Sequence, residues 1–143
     1  MLKVLVPVDG SKSAARAVKA LVKTLSWYKG SPQIDLLAVH APVPVFPNMG
    51  VVVSKQMIDR YYAEECAAML ASSRKILDAA EMKYKVHTAV GSIAECIVEQ
   101  AKLSGSNMIY MGTRGMTALS NMVLGSVATR VLHLAHIPIV LIH

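Results

Sequence analysis

The sequence predicts an α/β fold in which a doubly wound, five-stranded parallel sheet carries helices on both faces. Short apolar runs typical of buried strands alternate with longer segments whose apolar residues recur every three or four positions. The resulting order, β-α-β-α-β-α-β-α-β, is typical of parallel sheets because each crossover helix packs back onto a face. With 143 residues and no internal repeat, low-complexity tract or linker, the chain is predicted to form a single domain, residues 1–143.

The start of the chain predicts the first strand and the first helix. Residues 2–8 are almost entirely apolar and rich in β-branched side chains, which indicates a strand buried on both faces. Asp9-Gly10-Ser11 then forms a turn, and Ser11 or Ser13 is placed to cap the helix that follows. The apolar stripe of that helix consists of Ala14, Ala17, Val18, Leu21, Val22 and Leu25.

The second strand is predicted at residues 34–40, followed by an irregular segment. Three prolines within residues 41–47 argue against a helix or a central strand and favour an extended surface loop. Residues 51–53 stay open between a loop, a short strand and a patch that covers a ligand.

The middle of the chain predicts a long helix and an edge strand. Apolar residues recur with helical spacing from residue 54 to residue 80, and Tyr61 and Tyr62 near the start are expected to pack against the sheet. Residues 85–90 form a more polar strand, which is typical of the edge of a sheet.

A third helix is predicted after this strand and ends at Ser104-Gly105-Ser106. Ser92 followed by Glu95 resembles a capping box, in which each side chain satisfies a backbone amide of the first turn.

The rest of the chain is organised around residues 107–128. An apolar strand at residues 108–111 leads into Gly112-Thr113-Arg114-Gly115. Nine residues later, Gly125-Ser126 begins the last helix, predicted at residues 126–135, and a final strand closes the chain. A strand, a glycine loop and a helix start in this order suit the binding of a phosphate.

The physical reason lies in the backbone donors that such a segment offers. Glycines let amides approach an anion, and a helix N-terminus adds unpaired amides and the positive end of its dipole. With Ser126 as the N-cap, its hydroxyl and the amides of Val127 and Ala128 are predicted to face one phosphate. The alternative is a plain turn followed by a capped helix.

Composition narrows the classes of function. Hydrophobic residues make up 54% and charged residues 17%, which excludes disorder as the main state. The net charge of +6 fits a nucleic acid, a membrane lipid or a phosphorylated small ligand. No nucleic-acid partner is expected, because aromatics make up only 5% and the cations of the first helix recur as on a solvated face: Lys12, Arg16, Lys19 and Lys23.

Cysteine, histidine and the N-terminus give three further expectations. Cys66 and Cys96 lie far apart within helical patterns, which predicts two buried, reduced thiols in a cytosolic protein. His133 and His136 have no third ligand nearby in the sequence, so no metal site is assigned. With no signal peptide and no apolar run long enough to cross a bilayer, a cytoplasmic location without a membrane partner is expected.

Asp9 is predicted to meet the glycine loop at the carboxyl edge of the sheet. Ligands of open parallel sheets bind there, at the point where the strand order reverses. If the fourth strand lies beside the first, Asp9 faces Gly112 and Gly115 across one crevice. A carboxylate there can accept hydrogen bonds from a ribose or a base, or help to hold a divalent cation, and Arg114 can neutralise phosphate charge. The alternative role for Asp9 is that of a turn residue that caps the first helix.

These motifs closely resemble those of the universal stress protein family, over the whole chain. The resemblance rests on Val6-Pro7-Val8-Asp9-Gly10-Ser11, on Gly91-Ser92, on Gly112-x-x-Gly115-(nine residues)-Gly125-Ser126, and on Ile137-Pro138-Ile139-Val140-Leu141-Ile142. It implies a strand order of 3-2-1-4-5 and a homodimer through the last strand. Family members with the glycine motif bind ATP, whereas another branch lacks the motif and does not. Asn107 departs from the aspartate that is frequent before the fourth strand, which should affect only a turn at the opposite end from the ligand.

The resemblance also implies a site for an adenine nucleotide. The turn after the first strand would contact the nucleoside, Val39 the adenine through its backbone, and the end of the fourth strand the ribose and base. The glycine loop would line the phosphate path, and the last helix would hold the phosphates. The expected ligand is ATP, with ADP or AMP as alternatives, and Mg²⁺ or Mn²⁺ is compatible with the bound nucleotide. The residues implied are Pro7, Val8, Asp9, Val39, Met111, Gly112, Arg114, Gly115, Gly125, Ser126, Val127 and Ala128.

Three hypotheses follow for the function. The first is an ATP-binding stress-response regulator whose dimer or partner contacts are tuned by the nucleotide. The second is a metal-dependent, weak ATP hydrolase or transferase that uses Asp9, and the third is a nucleotide-free dimeric scaffold. The sequence shows no Walker-type lysine, carboxylate pair, or Ser-His or Cys-His arrangement, so at most slow ATP hydrolysis is expected and no catalytic residue is assigned.

Overall fold

A computed structural model describes residues 1–44, 53–115 and 123–143 of the chain. The predicted alternation of strands and helices is confirmed, and the predicted strand limits lie within two residues of those observed. The end of the proline-rich loop, residues 51–52 of the ambiguous segment and most of the spacer between Gly115 and Gly125 lie outside the described residues. The elements are β1 (Lys3–Pro7), α1 (Lys12–Leu25), β2 (Gln33–His40), α2 (Lys55–Ala79), β3 (Tyr84–Val90), α3 (Ile93–Ser104), β4 (Met108–Gly112), α4 (Ser126–Leu134) and β5 (Ile139–Ile142).

The five strands form one parallel sheet in the order β3-β2-β1-β4-β5, as the resemblance implied. β1 pairs with both β2 and β4, so the strand order reverses at β1. The turn after β1 and the segment after β4 therefore start side by side at the carboxyl edge. Asn107 lies at the opposite end of the sheet, away from the carboxyl edge. There its Oδ1 atom accepts a hydrogen bond from the amide of Lys3 at 2.8 Å.

Apolar side chains of the sheet are buried on both faces. Val4, Val6 and Leu36 pack under α1 and α2, whereas Leu5 and Leu37 pack under α3 and α4. The burial of β1 and β2 on both faces explains their nearly continuous apolar sequences. β3 has no fully buried residue and lies at the edge of the sheet, as predicted. Among the described residues, no helix is both long and apolar enough to cross a membrane.

Local caps agree with the sequence at α1 and differ at α3. Ser11 Oγ accepts a hydrogen bond from the amide of Ala14 at 3.1 Å. Ser92 is the N-cap of α3, but its side chain makes no cap hydrogen bond, so the predicted capping box is wrong. Glu95 instead pairs with Arg130 of α4 at 2.8 Å, and this hydrogen bond lowers the pKa of the carboxyl. A guanidinium is a stronger partner for a carboxylate than a backbone amide is.

The two cysteines differ in their surroundings. Both are free thiols, as predicted, but only Cys66 is buried and Cys96 is partly exposed. Burial raises the pKa of the Cys66 thiol, and the nearby charge of Glu65 raises it further. Cys66 is therefore a core residue of α2 rather than a reactive thiol.

Candidate functional site

A cavity of about 510 Å³ opens at the carboxyl edge of the sheet, over the ends of β2, β1 and β4. This volume lies in the range of small-molecule sites in proteins. All twelve residues of the predicted nucleotide site line the cavity: Pro7, Val8, Asp9, Val39, Met111, Gly112, Arg114, Gly115, Gly125, Ser126, Val127 and Ala128. The structure thus brings them together, and their individual roles remain predictions.

Asp9 and Gly115 face each other in this cavity. Asp9 Oδ1 accepts a hydrogen bond from the amide of Ser11 at 2.9 Å, so this oxygen has the turn role that was the alternative for Asp9. Asp9 Oδ2 lies 3.1 Å from the point that a Cβ atom on Gly115 would occupy. One carboxylate oxygen therefore stabilises the turn while the other faces the glycine segment.

Two glycines of the motif allow backbone segments to pack closely. A Cβ on Gly112 would lie 2.8 Å from the backbone carbonyl of Ser13, a distance that requires something to move. A Cβ on Gly125 would lie 3.3 Å from the carbonyl oxygen of Thr113. Gly112 thus seats β4 against the start of α1, and Gly125 seats the start of α4 against the segment after β4.

Several amides of the glycine segment are bonded inside the protein. The amide of Thr113 donates to the Ile142 carbonyl at 3.1 Å, and the amide of Arg114 donates to Ser13 Oγ at 3.3 Å. The amide of Gly125 donates to the carbonyl of Thr113 at 2.6 Å. These three amides therefore stabilise the loop and are not free to donate to a ligand. Fewer amides of the glycine loop than expected can bind a phosphate.

α4 begins at Ser126 as predicted, but its N-cap lies one residue earlier than predicted. Gly125, in an extended conformation, is the N-cap, and Ser126 is the first helical residue, so the prediction that Ser126 caps the helix is wrong. The reason is the hydrogen bond from Gly125 to Thr113, which holds Gly125 outside the helix. Gly125 has no side chain to act as a cap.

The first turn of α4 keeps its donors for a ligand. The first backbone bond of the helix runs from the amide of Thr129 to the carbonyl of Gly125 at 3.1 Å. The amides of Ser126, Val127 and Ala128 precede it and have no acceptor within the helix. All three residues line the cavity, so the positive end of a helix dipole and three amides with no acceptor among the described residues lie at one place.

Arg114 adds the cation of the cavity wall. Its Nε atom is buried and has no hydrogen-bond partner among the described residues. Arg114 also lines the cavity, where its positive charge can offset the charge of a bound anion. Arg114 is thus placed where phosphate charge was predicted to lie.

Sequence reasoning missed eight residues of the cavity wall. Most are apolar, and their helical or strand spacing predicts only core packing, so no local signal marked them as ligand contacts. His40 and Thr113 are the polar exceptions. The eight residues are Ala14, Leu37, His40, Ala41, Met69, Ile93, Ile97 and Thr113.

The two adjacent tyrosines of α2 contact the sheet at its carboxyl edge. Tyr61 and Tyr62 pack around the ring of His40, the last residue of β2. Tyr61 remains 44% exposed. The aromatic residues therefore lie beside the cavity.

The residues of the cavity can hold a divalent cation only together with the phosphate oxygens of a bound ligand. Among the described lining residues, Asp9 is the sole carboxylate. The described residues contain no group of three or more histidine, cysteine, aspartate or glutamate side chains that could hold a metal ion. Asp9 Oδ2 could supply one oxygen to Mg²⁺ or Mn²⁺, and phosphate oxygens would have to supply others.

Comparison with known sequences gives a consistent result. The sequence model of the universal stress protein family matches residues 1–143. Universal stress protein MJ0531 of Methanocaldococcus jannaschii is 32% identical over 98% of this chain and 81% of its own length. Universal stress protein YxiE of Bacillus subtilis is 31% identical over 98% of this chain and 97% of its own length.

Solved structures share the fold. Protein MJ0577 superposes with a TM-score of 0.78 at 24% identity, over 99% of this chain and 94% of that one. The universal stress protein from Archaeoglobus fulgidus in complex with dAMP gives 0.66 at 20% identity, over 100% and 98% of the two chains. A universal stress protein family member from Arabidopsis thaliana with AMP bound gives 0.67 at 17% identity, over 99% and 91%.

Proposed function

The chain belongs to the universal stress protein family, and from that premise we propose that it binds an adenine nucleotide, ATP foremost, in the cavity at the carboxyl edge of its sheet. The observation on which this depends is that Asp9, Arg114 and the first-turn amides of α4, which have no acceptor within their helix, line one cavity. The nucleotides in the structures of the Archaeoglobus and Arabidopsis proteins, dAMP and AMP, support the adenine part of the proposal.

The phosphate end of the ligand is proposed to lie at α4. The amides of Ser126, Val127 and Ala128 would donate to phosphate oxygens, and Arg114 would offset their charge. Because the amides of Thr113, Arg114 and Gly125 are already bonded, the helix rather than the glycine loop is the principal grip. Mg²⁺ or Mn²⁺, if bound with the nucleotide, would neutralise phosphate charge, with Asp9 as the protein ligand.

The nucleoside end is proposed to lie between the ends of β1, β2 and β4. Pro7, Val8, Val39 and Met111 form apolar wall there, which suits the faces of a purine. Asp9 Oδ2 lies between this wall and the glycine segment, where a ribose hydroxyl can donate to it. The base, the ribose and the phosphates are thus assigned to successive parts of one cavity.

The proposal is tested by measuring thermal unfolding of nucleotide-free protein with and without ATP and Mg²⁺. A ligand present at a hundredfold excess over its Kd stabilises the folded state by about 2.7 kcal/mol. We expect a concentration-dependent rise in Tm with ATP and a smaller one with CTP, which carries the same phosphates. If ATP at millimolar concentration leaves the Tm unchanged, the nucleotide-free scaffold becomes the better hypothesis.

The variant Ser126→Ala tests the helix start. Ser126 is exposed and is not the cap of α4, so its loss should leave the free energy of unfolding within about 0.5 kcal/mol of wild type. Losing one hydroxyl donor to phosphate should weaken ATP binding about fivefold, as measured by calorimetric titration. A stability loss with unchanged affinity would instead indicate a purely structural serine.

The variant Arg114→Gln tests the cationic wall. A hydrogen bond to a charged group contributes about 1.5–3 kcal/mol, so we expect ATP affinity to fall at least about tenfold. Arg16→Gln is the matched control, since Arg16 is exposed on α1 and does not line the cavity. The substitution removes the same charge at a position away from the cavity. Equal losses in both variants would show that only net charge matters.

The nucleotide is further proposed to tune contacts of a cytoplasmic homodimer in a stress response. β5 supports this proposal because it is at the edge of the sheet and its four apolar residues are only half-buried in one chain. Light scattering of the nucleotide-free and ATP-bound protein tests it. A monomer under both conditions would contradict the dimer proposal without affecting the nucleotide site.

A further inference from the structure

Three aromatic rings form a cluster beside the cavity, namely His40, Tyr61 and Tyr62. The ring centroids of His40 lie 5.6 Å from Tyr61 and 5.4 Å from Tyr62, and the two tyrosines are 5.9 Å apart. The His40 side chain is only 16% exposed, and its Nε2 atom lies 3.7 Å from Glu65 Oε2. His40 also lines the cavity, so the cluster joins α2 to the cavity wall.

Two hydrogen bonds connect the aromatic cluster to the chain that leaves β2. His40 Nδ1 lies 2.6 Å from the carbonyl oxygen of Ala41, so this nitrogen carries a proton and donates it. The hydroxyl of Tyr62 accepts a hydrogen bond from the amide of Val43 at 2.8 Å. The carbonyl of Ala41 and the amide of Val43 are thus each held by a side chain.

Residues 41–44 make no backbone–backbone hydrogen bond with another described residue. Ala41, Pro42, Val43 and Pro44 are all exposed and belong to no helix or strand. Ala41 is nevertheless part of the cavity wall, directly after the β2 residues Val39 and His40. The position of this wall therefore depends on side-chain bonds from its neighbours rather than on the sheet.

We infer that Tyr62, together with His40, is a positioning residue that sets the base preference of the nucleotide site by fixing the wall after β2. The inference rests on the proposed function, since it assigns the nucleoside to this end of the cavity. Tyr62 acts through the backbone of residues 41–43 and makes no contact with the ligand itself. Held in place, this wall presents backbone groups to the edge of a base.

Binding of the phosphates should not depend on the position of the wall after β2. The edge of the base is assigned to the end of β2, whereas the phosphates are assigned to the start of α4, beyond the end of β4. Because β1 separates β2 from β4 and strands in a sheet are spaced by about 4.8 Å, the base edge and the phosphates lie about 10 Å apart. A change at Tyr62 should therefore alter discrimination between bases while the amides of α4 keep their positions.

The experiment compares Tyr62→Phe with Tyr61→Phe by titration with ATP and with CTP, two ligands that differ only in the base. Both variants remove one phenolic hydroxyl from neighbouring rings on α2, but only that of Tyr62 holds Val43. For Tyr62→Phe we expect the preference for ATP over CTP to fall about fivefold, the equivalent of one hydrogen bond. For Tyr61→Phe we expect the wild-type preference.

The outcomes separate this inference from the proposed function. If wild type binds ATP but Tyr62→Phe keeps the wild-type ratio of the two Kd values, the inference is wrong and the nucleotide site stands. Equal weakening of both ligands, or an equal change in both tyrosine variants, also overturns it, because a merely structural effect does not distinguish bases. If wild type binds neither ligand, the proposed function fails and the inference fails with it.

Discussion

Replacing Gly115 with valine is expected to abolish measurable ATP binding while the protein stays folded. A Cβ at this position would lie 3.1 Å from Asp9 Oδ2, and the two further methyl groups would fill the space between the turn after β1 and the start of α4. Gly115 is exposed and does not have the left-handed backbone that would require glycine. We therefore expect a free energy of unfolding within about 0.5 kcal/mol of wild type.

A graded pair of variants makes this test sharper. Gly115→Ala adds the Cβ alone, which the Asp9 side chain can accommodate by moving a few tenths of an ångström, so partial weakening is expected. Calorimetric titration should thus rank wild type, alanine and valine in order of falling affinity. A folded valine variant with wild-type affinity for ATP would show that the ligand does not pass between Asp9 and Gly115.

Replacing His87 with leucine is expected to destabilise the protein by about 2–4 kcal/mol. His87 Nε2 lies 2.7 Å from Asp35 Oδ1, and Asp35 is only 1% exposed within the sheet. The amide of the Gln33 side chain donates to Asp35 Oδ2 at 2.7 Å and would remain as the principal partner. A buried carboxylate that loses one of two such partners keeps its desolvation cost with only one hydrogen bond left to offset it.

The control for this variant is Thr88→Leu, which places leucine at an exposed position of β3 opposite Ala38 rather than Asp35. Chemical denaturation should show a change of less than about 0.5 kcal/mol for the control. The double variant Asp35→Leu/His87→Leu should recover much of the loss because no buried charge remains. Equal stability of His87→Leu and wild type would mean that water reaches Asp35. ATP affinity should be unchanged in His87→Leu, since neither residue lines the cavity.

The features of the fold that were predictable from the sequence are those that local patterns of apolar residues determine. β1 and β2 are buried on both faces and therefore have nearly continuous apolar sequences, and the spacing of apolar residues marks α1 and α2. The order of the strands was not available from periodicity and came from the family resemblance. The N-cap of α4 was assigned to the wrong residue because a contact between Gly125 and Thr113, rather than a local pattern, determines it.

The candidate site was predictable in its motifs and not in its hydrogen bonds. Glycines and Asp9 mark the cavity because each stands where a strand ends, and strand ends meet at one edge of a parallel sheet. The partners of the loop amides, Ser13 and Ile142, lie far away in the sequence, so nothing local indicated that those amides were engaged. Likewise, the capping box failed because Glu95 pairs with Arg130, 35 residues further on.

The most direct test of the account is a crystal structure of the protein with ATP and Mg²⁺. We predict that phosphate oxygens lie about 3 Å from the amides of Ser126, Val127 and Ala128, with the ribose beside Asp9 Oδ2 and the base at the end of β2. ATP bound elsewhere, or phosphates that leave the start of α4 in contact with water alone, would contradict it.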